Sequence, residues 1–140
     1  MRQVRIGTSG NPPNFFASRY GKNRLEAPRW IAERGLNAYE VLFTHGVRMT
    51  DERAKIMGST ARESDVQLSV HSPYYAVLTS EKENVVEKSR ERIKRSLRKG
   101  SILGATSAVL HPGYYKGSQP FAQLQYELKR LSEWRSEQGI

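Results

Sequence analysis

Short apolar runs alternate along this sequence with longer amphipathic segments, a pattern that predicts strands each followed by a helix. Apolar side chains in the longer segments recur every three or four positions, as on one face of a helix. Such alternation is typical of a parallel sheet wound by crossover helices. The four predicted strands lie at residues 4–8, 38–43, 66–70 and 106–110.

Capping residues set the ends of the predicted helices. Thr50 suits the N-cap of the second helix, and Ser80 with Glu83 has the spacing of a capping box for the third. Gly104 suits the end of that third helix, and Ile140 is expected to open a fifth strand. The four predicted helices span about residues 28–34, 51–64, 81–103 and 119–138.

Four strand–helix units make either a small open sheet or half of an eight-stranded barrel. The chain has 140 residues, whereas a complete (β/α)8 barrel needs about 200 to 250. We therefore expect one α/β domain over residues 1–140, with parallel strands, that corresponds to half of a TIM barrel. In either arrangement the carboxyl ends of all strands lie on one face.

The charge of the chain favours an anionic partner such as nucleic acid. Lys and Arg number 23 against 14 Asp and Glu, which gives a net charge of +9 and a pI of about 10.0. The sequence contains no cysteine, so any metal site must be built from His, Asp and Glu. No segment approaches the roughly 18 apolar residues of a membrane span, and we expect a soluble cytoplasmic protein without a membrane partner.

The sequence contains three histidines, and each lies near the carboxyl end of a predicted strand. His45 follows the second strand, His71 the third and His111 the fourth, although Gly46 allows the loop to turn His45 outward. Neighbouring strands lie about 4.8 Å apart, so imidazoles at their ends can converge on one centre. Because neutral imidazole is a common zinc ligand, the sequence predicts a metal-binding cluster, with separate structural roles as the alternative.

Proline and paired tyrosines follow two of the histidines, in HSPYY at 71–75 and HPGYY at 111–115. Tyrosines beside a basic surface suit stacking on bases, which contributes about 1 to 3 kcal/mol per base. The equal alternative is that they cover the core with their hydroxyls in water. Arg48, after the second strand, lies on the same face and suits a phosphate contact.

Other features of the sequence favour no further chemistry. The many Lys and Arg between positions 82 and 99 lie on the third predicted helix, and we interpret them as a solvated outer face in preference to a nucleic-acid site. The stretch GTSG at 7–10 is neither a P-loop nor a dinucleotide-binding motif, and no nucleophile elbow is present.

The histidine motifs, taken together, resemble the signatures of the endonuclease IV family of apurinic/apyrimidinic endonucleases. The resemblance spans nearly the whole chain, and the spacing of the two histidine motifs also fits, although related sugar-isomerase-like barrels share the strand pattern. The segments that carry it are FTHGVR at 43–48, VHSPY at 70–74, Ser-Arg at 89–90, LGA at 103–105 and VLHPG at 109–113.

The resemblance implies a (β/α)8 barrel with up to three zinc ions at its carboxyl face, which cleaves DNA on the 5′ side of abasic sites. It makes His71 and His111 ligands of one zinc, and it places Arg48, Tyr74 and Tyr75 among the residues that penetrate DNA at the lesion. It implies no ligand at His45, whose role as an additional metal or substrate contact rests on its strand-end position. No catalytic residue is assigned.

The family's remaining ligands come from the second half of the barrel. We therefore expect the 140 residues alone to bind zinc weakly and to lack activity, since two imidazoles are half of the usual four ligands. A half barrel also leaves unpaired edges at its first and fourth strands, which proteins usually cover. We expect either a homodimer across those edges or a missing C-terminal half.

Two alternative functions stay open at this point. A barrel related to sugar-phosphate isomerases or epimerases would use the same strand-end histidines for a metal and a polyol. A non-catalytic DNA-binding module would use charge alone, with salt-sensitive binding that a chelator does not change.

Overall fold

The computed structural model describes residues 4–140, and it consists of one parallel sheet with helices between the strands. The sheet has four strands in the order β1-β2-β3-β4, and every neighbouring pair is parallel. The predicted α/β class and the alternation of strand and helix are therefore confirmed. The elements are β1 (Gly7–Ser9), α1 (Pro13–Phe16), a 3-10 turn (Arg24–Glu26), α2 (Ala27–Ala32), β2 (Ala38–Leu42), α3 (Asp51–Glu63), β3 (Gln67–His71), α4 (Glu83–Leu103), β4 (Ser107–Val109) and α5 (Pro120–Glu137).

The core lies on one face of the sheet, where alternate strand residues meet the helices. Tyr39 and Val41 of β2 and Leu68 and Val70 of β3 are buried in one apolar cluster with residues of α2 and α3. Alternation follows from the pleat, which points successive side chains to opposite faces. The other face stays accessible among residues 4–140, where Leu42 is 40% exposed. This accessible face is the inner face of a half barrel.

Two of the predicted helix signals are confirmed. Thr50 caps α3, because its hydroxyl oxygen accepts a hydrogen bond from the backbone N–H of Arg53 at 3.3 Å. Gly104 ends α4 in the left-handed conformation, with φ at 72°. A residue with a side chain is strained there, which explains a glycine at that position.

The predicted capping box at Ser80 and Glu83 is wrong. The Ser80 hydroxyl accepts from the N–H of Lys82 at 3.2 Å, in a local turn before the helix, and Lys82 is the N-cap residue of α4. The Glu83 carboxylate turns instead to Arg90, at 3.0 Å. An ion pair with a guanidinium therefore replaces the expected bond from Glu83 to the helix start.

All four strands differ from the prediction at one or both ends, β2 by ending at Leu42 and β4 by spanning only Ser107–Val109. β1 begins at Gly7 rather than at Val4, β3 extends to His71, and Ile140 opens no strand. Ile140 instead donates its N–H to the carbonyl of Arg135 and closes the end of α5. The predicted domain also includes residues 1–3, which lie outside the described residues. No helix among residues 4–140 has the length and apolar character to cross a bilayer.

Tyr39 makes stability at high pH a test of this core. Burial raises the pKa of Tyr39 to about 12, and its hydroxyl donates to Asn11 Oδ1 at 2.7 Å. In the unfolded chain the Tyr39 hydroxyl ionises near pH 10. Its contribution to the free energy of unfolding is therefore complete below pH 10 and is lost as the pH rises towards 12. Between pH 9 and pH 11 the free energy of unfolding is expected to fall by about 1.4 kcal/mol more in the wild type than in Tyr39→Phe. Urea unfolding at both pH values measures this, and equal losses would contradict it.

Candidate metal and nucleic-acid site

Two imidazoles lie side by side at the carboxyl edge of the sheet. His71 is the last residue of β3, and His111 follows β4 by two residues. β3 and β4 are paired in register with His71 opposite Val109, so both chains leave the sheet at the same edge. The ring centroids of His71 and His111 are 5.0 Å apart, with 48° between the ring planes. The structure therefore brings together the two histidines that the motifs single out.

The hydrogen bond of His71 fixes which of its nitrogens can bind a ligand. Nδ1 of His71 lies 2.8 Å from the carbonyl oxygen of Ser72. A carbonyl oxygen only accepts, so Nδ1 carries a proton, and Nε2 is the nitrogen that can offer a lone pair to a ligand. Metal-ligating histidines commonly donate their second nitrogen to a carbonyl in this way. His71 is half-buried, whereas His111 is exposed.

The pair fits a partial zinc site. Two imidazoles that share one tetrahedral zinc at about 2.0 Å have ring centres about 5 Å apart, close to the 5.0 Å found here. No group of three or more His, Cys, Asp or Glu side chains suited to one ion occurs among residues 4–140. The imidazole pair thus amounts to half of the four ligands that a zinc ion usually has.

Backbone hydrogen bonds join the loops that carry the two histidines. The N–H of Ser72 donates to the carbonyl of Val109 at 2.8 Å, and that of Leu78 donates to Pro112 at 2.9 Å. Thr79 adds a bond from its hydroxyl to the carbonyl of Tyr114, at 2.7 Å. A cleft of about 250 Å³ lies beside these loops. Its lining comprises Tyr74, Ala76, Val77, His111, Gly113 and Tyr114.

His45 contacts the aromatic residues of the site rather than a second imidazole. It is exposed in the turn after β2, and its ring meets the Tyr74 ring edge-on with centroids 6.1 Å apart. Tyr74 in turn meets Tyr75 edge-on at 5.4 Å. His45 thus completes no group of three metal-ligating side chains, and its role as a metal or substrate contact stays a prediction.

The residues that the resemblance assigns to DNA are at the surface of this site. Tyr74 is 57% and Tyr75 37% exposed, and Arg48 is exposed in the loop between β2 and α3. Arg48 forms none of the ion pairs found among residues 4–140. Tyr74 and Arg48 are therefore accessible to a ligand, and Tyr75 is accessible over part of its surface.

Sequence analysis missed two features of the site. Arg92 of α4 lies over the Tyr75 ring, with its guanidinium carbon 4.6 Å from the ring centroid. Glu40 stands on the accessible face of the sheet, where it accepts a hydrogen bond from Ser9 at 2.6 Å. A glutamate inside the apolar run AYEVLF was the signal for the second, whereas nothing in the spacing indicated the first.

Glu40 belongs to a row of polar residues that crosses all four strands. Ser9 is paired with Glu40, Glu40 with Ser69, and Ser69 with Ser107. Since paired residues of adjacent strands point to the same face, the four side chains lie across the inner face of the half barrel. His71 lies two residues beyond Ser69, on the same face and at the carboxyl edge.

The fold and the site define a class: half of a (β/α)8 barrel with an imidazole pair at the carboxyl ends of its strands. Residues 28–139 match the profile of the xylose isomerase-like TIM barrel family. The chain belongs to this family. The resemblance to endonuclease IV found in the sequence is thereby supported at the level of the family.

Similar proteins include both nucleases and sugar epimerases. An uncharacterized protein of Methanocaldococcus jannaschii is 30% identical over 110 residues, which cover 79% of this chain and 37% of that protein. A D-tagatose 3-epimerase-like protein has a TM-score of 0.71 at 20% identity, over 98% of this chain and 51% of its own. Endonuclease IV from Thermus thermophilus has a TM-score of 0.66 at 19% identity, over 80% and 42%. The similarity to these two solved structures establishes the fold.

The chain spans about half the length of the solved structures it resembles, and a smaller part of the M. jannaschii protein. This agrees with the sheet of four parallel strands, which is half of the eight strands of a TIM barrel.

Proposed function

We propose that this chain is the metal- and DNA-contacting half of an endonuclease IV-like barrel, whose complete form hydrolyses the DNA backbone at abasic sites. The observation that supports this most strongly is the pairing of His71 with His111, at 5.0 Å between ring centroids. The net charge of +9 and the exposed tyrosines beside the pair suit a DNA ligand.

Each site residue has a distinct role in this proposal. His71 and His111 hold one zinc ion, with His71 oriented by its bond to the Ser72 carbonyl. When bound, zinc supplies Lewis-acid chemistry for phosphodiester hydrolysis. Tyr74 and Tyr75 stack on or wedge between bases at the lesion, and Arg48 contacts the phosphate backbone.

The site needs further ligands, because the described residues provide only the imidazole pair. β1 and β4 are the two edges of the sheet, and each is three residues long. We propose that these edges pair either with the second half of a barrel or with a second copy of this chain. Either partner would close the inner face and place additional ligands at the carboxyl mouth.

A sugar epimerase is the second candidate function. The polar row of Ser9, Glu40, Ser69 and Ser107 favours it, because hydroxyl and carboxylate groups on an inner barrel face suit a polyol. The charge of the chain favours the nuclease, since a DNA backbone contacts many positive charges at once, whereas a small sugar or sugar phosphate contacts few.

An activity assay with the full-length product that contains these residues separates the two candidates. We expect incision on the 5′ side of a single abasic site in a duplex, dependent on added zinc and abolished by a chelator. An undamaged duplex of the same sequence is the control. Metal-dependent epimerisation of D-fructose or D-tagatose without incision would overturn the nuclease proposal in favour of the epimerase.

A further inference from the structure

Four basic residues follow one another along a single face of α4. Lys88, Arg92, Arg95 and Lys99 are separated by four, three and four positions, the spacing that aligns side chains on one helix face. We call them the α4 stripe. Over residues 83–103 the helix has seven Lys and Arg and three Glu, a net charge of 7 − 3 = +4.

Within the part of the chain that the structure describes, three of the four residues of the α4 stripe form no ion pair, although Glu87 and Glu91 line the same shallow cleft. Among residues 4–140 no ion pair involves Lys88, Arg92 or Arg95, whereas Lys99 pairs with Asp51 of α3. The acidic residue Glu91 of the same helix is already paired with Lys94, at 2.9 Å. The Lys94 hydrogen bond holds the pKa of Glu91 below its usual range.

Arg92 connects the α4 stripe to the candidate site. Its guanidinium lies 4.6 Å from the centre of the Tyr75 ring, and Tyr75 packs against Tyr74, which packs against His45. The loop after β2 also lies close to Tyr75, since a Cβ on Gly46 would lie 3.4 Å from the Tyr75 hydroxyl. The aromatic residues and the α4 stripe therefore form one continuous surface.

We infer that the α4 stripe binds the phosphate backbone of duplex DNA beside the carboxyl mouth, and so extends the footprint beyond the lesion. The inference rests on the proposed function for its choice of ligand, and on unpaired positive charge for its location. At 1.5 Å per residue the stripe is about 16 Å long, which matches about five base steps at 3.4 Å.

Salt dependence of DNA binding tests this inference. The triple variant Lys88→Gln, Arg92→Gln, Arg95→Gln of the full-length product is compared with Lys129→Gln, Arg130→Gln, Arg135→Gln, which removes three exposed charges from α5. Anisotropy of a labelled, undamaged 16-base-pair duplex in EDTA gives the dissociation constant between about 50 and 200 mM salt. Thermal unfolding checks that each variant folds.

The α4 variant is expected to lower the magnitude of the slope of log K against log salt by about 2 to 3, because each phosphate contact contributes about 0.9. The α5 variant is expected to change it by less than about 1. An unchanged slope for the α4 variant, or equal changes for both, would overturn the inference. A loss confined to single-stranded RNA would assign the stripe to another ligand and overturn it as well.

The outcome is separable from that of the proposed function. The salt slope is measured in EDTA on undamaged DNA, whereas incision is measured with zinc on an abasic duplex, so the two readouts are independent. If the abasic duplex is not incised but the α4 variant still changes the salt slope, only the nuclease proposal is rejected. If the abasic duplex is incised but the α4 variant has the wild-type salt slope, only the inference about the α4 stripe is rejected.

Discussion

Replacing His71 and His111 together by alanine in the full-length product is expected to lower incision of an abasic duplex at least about a hundredfold. The two rings lie side by side at the mouth, with centroids 5.0 Å apart, a distance that suits two ligands of one ion. Without Lewis-acid catalysis the transition state loses several kcal/mol of stabilisation. Each 1.4 kcal/mol added to the barrier lowers the rate tenfold. Initial rates under single-turnover conditions measure the effect.

Zinc affinity provides a second readout of the same substitutions. Titration with a competing chromophoric chelator is expected to show weaker binding for the double variant than for the wild type, at equal fold stability. His45→Ala is measured beside it: an unchanged zinc affinity would separate His45, which contacts Tyr74, from the metal, and a loss would assign it as a further ligand. Wild-type zinc affinity and wild-type incision in the double variant would refute the assignment.

Replacing Arg90 by methionine is expected to destabilise the protein by about 3 kcal/mol or more. Arg90 Nε donates to Glu127 Oε2 at 2.7 Å, and the two residues are 9% and 3% exposed. Burial alone would lower the pKa of Arg90, but its bonds to Glu127 and Glu83 raise it. Removing the arginine leaves the Glu127 carboxylate buried without its partner, which costs about 3 to 5 kcal/mol. The midpoint of urea unfolding measures the loss.

Two further variants separate the ion pair from a general effect of charge on α4. Lys94→Met removes the partner of Glu91, whose side chain is 51% exposed, and is expected to cost less than about 1 kcal/mol. Adding Glu127→Leu to Arg90→Met is expected to restore much of the stability, because no buried charge is then left unpaired. Equal losses in Arg90→Met and Lys94→Met would contradict this account.

The fold was predictable where local chemistry determines it. The four apolar runs form the four strands. Thr50 caps the start of α3 and Gly104 ends α4, as their residue types predict. Ser80 and Glu83 matched a motif but failed, because Arg90, seven residues along the helix, offers Glu83 an ion pair. Spacing within a segment contains no information about such a competing partner.

The candidate site divides in the same way. The placement of His71 and His111 at adjacent strand ends followed from parallel topology alone, and the structure pairs them. The contact of Arg92 with Tyr75 depends on how α4 packs over the loop after β3. Helical periodicity predicts which residues share a face of the helix, but it does not predict which residues from other segments pack against that face.

The polar row of Ser9, Glu40, Ser69 and Ser107 has a consequence for aggregation. Exposed apolar surface and unpaired strand edges make a sheet prone to aggregate. Here hydroxyl and carboxylate groups hydrate the middle of the accessible face, whereas Leu42 and Val109 at its carboxyl edge are 40% and 41% exposed. Any surface that covers this face must therefore displace water from its middle, and it gains apolar contact only at the carboxyl edge.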